Sequence, residues 1–328
     1  MKTRIRILCA SVVASALALG GALTGVPAFA DETSWLQQAL DEVPDRTSAT
    51  IQVPPSKCGP EVQGPITLSG GKSVRLDLNG CDLTIIGNVA LTIENGAKLE
   101  LVGETPTVGL HVKSTGGNAL LVDGNSVATV TSASAGAAGN NVDVRDGSKL
   151  TITGEVTGDN GILATDTGTQ VTVGSIKVEK SPVQAYVGAK VTVDDDVTVT
   201  SPDDTTHIST SAGSVVNVGG RYLATSSGGS ASASAVSGST ITLNESVSGH
   251  YVVFEADGFN SKVSTIGGTV TATQGVRAEA TNSAIIQVNS PINAKDNVTV
   301  LAEESASVTL GGAVNVADGS LNLDTRPS

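Results

Sequence analysis

Two runs of aspartate contain the side chains best suited to cation binding or acid–base catalysis. They are Asp194-Asp195-Asp196 and Asp203-Asp204. Carboxylate oxygens are the ligands that Ca²⁺ prefers, and a pair of carboxylates performs glycoside hydrolysis. The spacing is not that of a calcium-binding loop, however, and aspartate is also common in tight turns. We predict turns at both runs, with these five residues as the ligands if Ca²⁺ binds, and no other cofactor.

A few aromatic side chains are the candidates for carbohydrate binding, because sugar rings stack on exposed aromatic faces. Apart from Phe29, the aromatic residues are Trp35, Tyr186, Tyr222, Tyr251, Phe254 and Phe259. Four of them fall in neighbouring segments of the chain and are the predicted ligand-binding residues: Tyr222, Tyr251, Phe254 and Phe259. The alternative is that each one packs singly in the core or at its rim.

The segments that position these residues form a degenerate repeat. Residues 160–180, 181–201 and 297–319 each hold three short runs of alternating apolar and polar residues, broken by Gly, Asp, Asn or Ser. Apolar residues two apart face one side of a strand, and repeats of this kind stack into a solenoid. Three strands per repeat, with no room for a helix between them, predict an all-β protein that forms a right-handed parallel β-helix. A β-sandwich also has many short strands, but its hairpin turns do not recur at one phase of a repeat.

The repeat can be aligned on the first strand of each coil. This alignment predicts two coils between the fourth and fifth anchors, with the weak coil carried by the Ala- and Ser-rich residues 228–237. The anchors are Val142, Ile162, Val183, Ile208, Val252, Val276 and Val298.

Two further segments precede the repeat. Residues 1–30 have a basic start, an apolar stretch and the small-residue site Ala28-Phe29-Ala30. This pattern indicates a secretory signal peptide that is cleaved near Ala30-Asp31, so we predict a secreted or cell-surface protein. Residues 31–48 have apolar residues at helical spacing and predict an N-terminal capping helix over the open end of the solenoid. Residues 49–328 then form the β-helix, with about eleven coils.

Cys58 and Cys81 remain after cleavage and are 23 residues apart, about one repeat. Residues one repeat apart stack on neighbouring coils, at a separation that a disulfide tolerates. An even pair of cysteines in an exported protein favours a disulfide. We predict that the bond joins the first coils, since no C-x-x-C redox motif is present.

The charge of the chain argues against polyanionic partners. The sequence has 19 Lys+Arg and 32 Asp+Glu, a net charge of −13, and removal of residues 1–30 takes away three more basic residues. Nucleic acids and anionic membranes bind basic patches, so we predict neither as a partner. No second long apolar stretch follows the signal peptide, and we predict no membrane span.

The opening of the repeat resembles a known group of proteins. The relevant stretches are Ala49-Thr50-Ile51-Gln52-Val53, Gly64-Pro65-Ile66-Thr67-Leu68 and Val74-Arg75-Leu76-Asp77-Leu78-Asn79-Gly80. They are similar to the first coils of pectin-lyase-like right-handed β-helix proteins, in which an N-terminal helix and the phrase L-D-L-N-G-x-x-L recur. The group includes polysaccharide lyases and hydrolases, phage tailspikes and large bacterial surface proteins. The resemblance therefore implies the fold and leaves the function open.

The catalytic motifs of this group are incomplete in the chain. Polygalacturonase-like hydrolases carry N-x-D, D-D, G-H-G and R-x-K motifs. The chain has the two aspartate runs and Ser248-Gly249-His250, but it lacks N-x-D near the first run, G-H-G and R-x-K. We predict a non-catalytic, adhesin-like or spacer module that binds a glycan or a host or cell-surface protein. The alternative is a polysaccharide-active enzyme with its acids in residues 194–204.

The last strand pattern, residues 321–323, is followed by no capping helix. Uncapped strands expose unpaired backbone groups, so we predict self-association through this C-terminal end.

Overall fold

The computed structural model describes residues 34–105, 107–202 and 207–326. The predicted signal peptide, residues 1–30, lies outside the described residues, and so do Asp203 and Asp204. All that follows concerns the described part of the chain.

A short helix, α1 (Trp35–Asp41), covers the first coil. Ser34 caps the helix, because its Oγ accepts a hydrogen bond from the Leu36 N–H at 3.2 Å. Leu36 and Leu40 are one turn apart and are buried against the solenoid core. The Gln37 side chain replaces a missing strand: its Oε1 accepts from the Thr67 N–H at 2.6 Å, and its Nε2 donates to the Thr67 carbonyl at 3.1 Å. The helix thus satisfies backbone groups that the open end would expose.

Short strands make up nearly all the rest. A single 3₁₀ turn, Pro55–Lys57, interrupts them. The strands of the first half are β1 (Ser48–Gln52), β2 (Val62–Gln63), β3 (Ile66–Leu68), β4 (Ser73–Asp77), β5 (Leu83–Gly87), β6 (Leu91–Ile93), β7 (Lys98–Val102), β8 (Leu110–Ser114), β9 (Leu120–Val122), β10 (Val127–Val130), β11 (Ser132–Val144), β12 (Lys149–Thr165), β13 (Gln170–Val178), β14 (Val183–Tyr186), β15 (Lys190–Val193) and β16 (Val197–Val199). Those of the second half are β17 (His207–Thr210), β18 (Val215–Val218), β19 (Tyr222–Ala224), β20 (Ser230–Val236), β21 (Thr240–Leu243), β22 (Val247–Gly249), β23 (Tyr251–Asp257), β24 (Lys262–Thr265), β25 (Val270–Ala272), β26 (Val276–Thr281), β27 (Ile285–Val288), β28 (Ile292–Ala294), β29 (Val298–Glu303), β30 (Ser307–Leu310), β31 (Val314–Val316) and β32 (Leu321–Arg326).

Each strand pairs in parallel with the equivalent strand of the next coil, which builds three ladders around one core. We call the ladder that begins with β1 and β4 sheet 1, the one that begins with β2 and β5 sheet 2, and the one that begins with β3 and β6 sheet 3. The predicted all-β parallel solenoid is therefore confirmed. It has about 12 coils, where the sequence predicted about eleven. The long strands β11, β12 and β13 continue around corners and each contribute to more than one sheet.

The core follows from the period-two alternation of the strands. In β15, Val191 and Val193 are buried and Lys190 is exposed. Like residues stack in register, as Val191 does on Val171 of the preceding coil and on Val216 of the next. Fully burying a side chain of this kind contributes roughly 1.5–3 kcal/mol, so columns of Val, Ile, Leu and Ala hold the coils together.

The weak coil predicted in residues 228–237 is present as β20. Its register differs from the sequence alignment, however. Ile208 pairs with Ala233, and Ala233 pairs with Phe254 rather than with Val252. The predicted anchor was therefore two residues out of place, which keeps the same residues inward but changes which outward side chains become neighbours.

The predicted disulfide between Cys58 and Cys81 is confirmed, and the two Cα atoms are 5.0 Å apart. Cys58 follows the 3₁₀ turn of the first coil, and Cys81 lies between β4 and β5. The bond therefore links consecutive coils next to α1, at the end of the solenoid where fewest neighbours hold the chain.

The corners that lead from sheet 3 to sheet 1 repeat one backbone conformation. Two residues with positive φ recur there, for example Ala212 (51°) with Gly213 (76°) and Val187 (58°) with Gly188 (80°). A small residue then turns inward, and Ser214 Oγ accepts a hydrogen bond from the Gly188 N–H at 3.0 Å. Where this small residue is Ser or Thr, its buried hydroxyl ties the corner to the neighbouring coil.

Val187 is the residue least suited to this corner. A β-branched side chain strongly disfavours positive φ, at a cost of roughly 1–2 kcal/mol, and Val187 is also 50% exposed. We expect Val187→Asn to raise the free energy of unfolding by about 1 kcal/mol, as measured by chemical denaturation. Val187→Thr retains the β-branch and is the control. An equal gain from both variants would show that lower surface apolarity, and not backbone strain, is responsible.

Candidate ligand-binding groove

The first aspartate run lies at an exposed corner between β15 and β16. Asp194 and Asp195 are exposed, and Asp196 is half-buried. Asp196 Oδ1 accepts from the Arg221 N–H at 2.8 Å, and its Oδ2 accepts from Arg221 Nε at 3.1 Å. These bonds to Arg221 lower the pKa of Asp196, against the opposing effect of partial burial. Asp196 therefore joins two adjacent coils through an ion pair.

Within the residues described, no group of three or more His, Cys, Asp or Glu side chains is arranged to hold a metal ion. Asp203 and Asp204 are outside that range, so the five aspartates are not seen together. Calcium binding by Asp194, Asp195 and Asp196 with the second run stays a prediction.

The ion pair between Asp196 and Arg221 makes the stability of the protein depend on pH. Because the folded state lowers the pKa of Asp196, its contribution to stability is present above the unfolded pKa, about 4, and is lost as the pH falls through the folded pKa. We expect Asp196→Asn to lower the free energy of unfolding by about 1 kcal/mol at neutral pH, since the pair is partly exposed. The difference from the unsubstituted protein should shrink in denaturation curves measured below about pH 4. Asp195→Asn is the control, and an equal loss there would contradict this role for the pair.

Two of the four aromatic residues predicted to bind a ligand lie in the core. Tyr222 is 1% exposed and Phe254 is fully buried, so neither ring can stack on a sugar and the prediction is wrong for both. The reason is their strand position: Tyr222 is in line with the inward Val197 and Val247, and Phe254 with the inward Ala233.

The small side chains of β20 explain how the core accommodates these rings. Its inward residues are alanines, which leave space that larger neighbours fill. Tyr222 reaches across the coil, and its Oη donates to the Ser232 carbonyl at 3.1 Å and accepts from the Ser232 N–H at 3.2 Å. Burial raises the pKa of Tyr222, because it disfavours the charged phenolate. A strand of Ala and Ser in a solenoid is thus a sequence signal for large inward residues nearby.

Tyr222→Phe should destabilise the protein without altering ligand binding. It removes two hydrogen bonds to the buried backbone of Ser232, each of which contributes about 0.5–1.5 kcal/mol net. The measurement is the free energy of unfolding by chemical denaturation, together with a binding assay. Tyr186→Phe, at a half-buried tyrosine, is the control and should change stability by less than about 0.5 kcal/mol. Equal effects at the two positions would contradict a special role for the Tyr222 hydroxyl.

The other two predicted aromatic residues are exposed but are not brought together. Tyr251 is 40% exposed at the start of β23, whereas Phe259 is 73% exposed in the turn beyond the end of that strand. They lie at opposite ends of a seven-residue strand, a length of roughly 20 Å. One ligand-binding face built from both rings is therefore excluded for a small ligand.

Tyr251 borders a groove of about 470 Å³ on the outer side of sheet 3. The floor is a column of outward side chains that share one register position in five successive coils: His207, Ser232, Val253, Arg277 and Thr299. With about 4.8 Å between coils, this column runs roughly 19 Å along the solenoid axis. The wall at the corner between sheets 2 and 3 is formed by Tyr251, Gln274, Gly275, Asp296 and Asn297. We call this site the axial groove.

The tyrosine ring in the axial groove is held in place. The His250 ring packs edge-on against it, with centroids 4.9 Å apart and planes at 83°, and His250 Nδ1 lies 3.1 Å from Thr273 Oγ1. Gly275 lies beside the ring: a Cβ at that residue would be 3.8 Å from two ring atoms and only 2.9 Å from the Asn297 carbonyl. A glycine therefore keeps the space next to Tyr251 open.

Polar groups line the rest of the groove. Arg277 Nη2 donates to Glu279 Oε2 within the same strand. Asn297 Oδ1 accepts from the Ser320 N–H at 3.1 Å, which orients its amide. The Nδ1 atom of His207 is buried and has no hydrogen-bond partner among the described residues. A groove with one aromatic platform, several hydroxyl and amide groups and an unpaired ring nitrogen has the features of a small-molecule or sugar site.

Sequence reasoning did not find His207, Glu255, Arg277 and Asp296, which line the groove together with Tyr251. They are isolated polar residues in different repeats and form no motif. Correct alignment of the outward positions would have shown a column with His and Arg among Ser and Thr. The predicted alignment matched Ile208 with Val252, whereas the structure places it in line with Phe254. The same two-residue error matches His207 with Tyr251 instead of with Val253, so the column was not recognised.

Comparison of the chain with protein-family models found no match, and comparisons with the curated proteins and with the solved structures found none either. In addition, no α-helix among the described residues has the length and apolar character required to cross a membrane.

Proposed function

We propose that this protein is a secreted, non-catalytic β-helix module that binds a polysaccharide chain in the axial groove. The observation that carries the proposal is the groove itself, in which an exposed, oriented tyrosine stands beside a polar floor that continues through five coils. An extended polymer needs a long and shallow site, whereas a compact metabolite does not. The scaffold would display this site in the manner of an adhesin or spacer.

Two observations support an extracellular location. The disulfide between Cys58 and Cys81 is a bond that persists in oxidising compartments. The sequence of residues 1–30 has the pattern of a signal peptide. A right-handed coil and membership of the pectin-lyase-like group are part of the same proposal, on the strength of the opening motifs of residues 49–80.

The arrangement of acidic residues favours binding over catalysis. Asp194 and Asp195 lie at the corner between sheets 1 and 2, outside the groove, and Asp196 is engaged by Arg221. Beside the groove, Glu279 is hydrogen-bonded to Arg277, which lines it. Of the acids that the sequence suggested for hydrolysis, Asp194, Asp195 and Asp196 are thus separated from the surface that suits a polysaccharide.

The test is a glycan-array screen of residues 31–328, with calcium and with chelator, in which both binding and product release are read. We expect binding without product release. Tyr251→Ala should weaken binding about tenfold, because it removes the stacking platform and a tenfold change corresponds to about 1.4 kcal/mol.

Phe259→Ala is the matched control, since it removes a more exposed aromatic ring at the far end of the same strand. It should leave affinity within about twofold. Equal losses from both variants would contradict the groove as the binding site. Product release would establish the enzyme alternative, and a requirement for calcium would direct attention to the aspartate runs.

A further inference from the structure

We infer that the axial groove selects an extended glycan that carries free amino groups, such as a β-1,4-linked glucosamine polymer, over acidic polysaccharides. This inference rests on the proposed function and adds the charge class of its ligand. It depends on which charges in the groove are compensated by neighbours and on how far apart the uncompensated charges lie.

Two carboxylates in the groove lack a cationic partner. Glu255 and Asp296 both line the groove, and neither forms an ion pair with a described residue. Both are half-buried, so water satisfies them less fully than it would at an open surface. Protonated amines form short, charge-assisted hydrogen bonds with carboxylates. A ligand with ammonium groups would therefore supply the cationic partners that these two carboxylates lack.

The one guanidinium in the groove is already in use. Arg277 donates to Glu279, and Glu279 is paired in register with Glu255 of the preceding coil. Two glutamates thus occupy the same register position on adjacent coils, whose strands are about 4.8 Å apart. An acidic sugar would have to displace an internal ion pair to reach Arg277, and it would also meet like charges. This arrangement disfavours uronic acids.

The two unpaired carboxylates are far enough apart to suit a polymer. Glu255 lies on β23, and Asp296 precedes β29, which is two coils further along. Two coils correspond to roughly 9.6 Å along the axis. The two residues are also displaced across the axis, because Glu255 is in register with Leu301 of β29, five residues beyond Asp296, which adds roughly 16 Å. An extended glycan that crosses the groove obliquely could reach both carboxylates, whereas a single sugar could not.

The experiment compares three length-matched oligosaccharides by titration calorimetry: the hexamers of glucosamine, N-acetylglucosamine and galacturonate. The pH is chosen so that the glucosamine amines are protonated. We expect the glucosamine hexamer to bind tightest and to bind at least about tenfold more tightly than the galacturonate hexamer. The neutral N-acetylated hexamer should fall between them.

The double variant Glu255→Gln/Asp296→Asn removes the two carboxylate charges and leaves the Tyr251 ring in place, so it tests the two contributions separately. It should weaken binding of the glucosamine hexamer about tenfold and leave the N-acetylated hexamer within about twofold. The control is Glu61→Gln/Asp195→Asn, which changes the net charge equally at two exposed carboxylates outside the groove. It should leave all three affinities within about twofold.

Four outcomes would overturn the inference. Equal or tighter binding of the galacturonate hexamer would show that the groove does not reject acidic sugars. Equal weakening by the control variant would show that the amines respond only to the overall negative charge of the protein. Binding of the N-acetylated hexamer in preference to the glucosamine hexamer would leave the proposed function intact and remove this selectivity. If none of the three hexamers binds, and the glycan array is also negative, the proposed function fails with it.

Discussion

The structure depends on one constraint: every strand must pair in parallel with the same strand of the next coil. This pairing satisfies the backbone of each coil only through its neighbours, so a single coil could not stand alone. It also stacks equivalent side chains on one another, as the Val171, Val191 and Val216 column shows. The two ends of such a stack lack a neighbour, and at the N-terminal end the Gln37 side chain takes the place of the missing strand.

Because the coils stack, the size of an inward side chain in one coil limits the size of the inward side chains in the coils next to it. Because a parallel ladder keeps the coils at a fixed spacing, a large inward residue needs small inward residues above or below it. Phe254 pairs with Ala233 of the coil before and with Ala278 of the coil after. Tyr222 likewise reaches the backbone of Ser232. The Ala- and Ser-rich strand is thus a regular coil whose missing volume is supplied by two aromatic rings.

The same stacking builds the outer surface. Residues that are more than twenty positions apart in sequence become direct neighbours, as His207 and Ser232 do, so isolated polar residues combine into continuous columns. The axial groove arises where such a column runs beside a corner that carries Tyr251 and Gly275. Its chemistry is decided by which charges find a partner within their own strand: Arg277 and Glu279 do, whereas Glu255 and Asp296 do not.

The sequence by itself determined the all-β solenoid, the N-terminal helix, the Cys58–Cys81 bond and the coil hidden in residues 228–237. These features rest on local signals: period-two alternation, helical spacing before Pro44, and a cysteine separation of one repeat. Only the tertiary structure decided that Tyr222 and Phe254 pack beside the alanines and serines of β20, that Tyr251 and Phe259 stand apart, and that His207 and Arg277 share a groove. The physical reason is that alternation fixes which residues share a face, but not the register between coils. That register depends on corner length and on packing across the coil, which at Ile208 shifted the alignment by two residues.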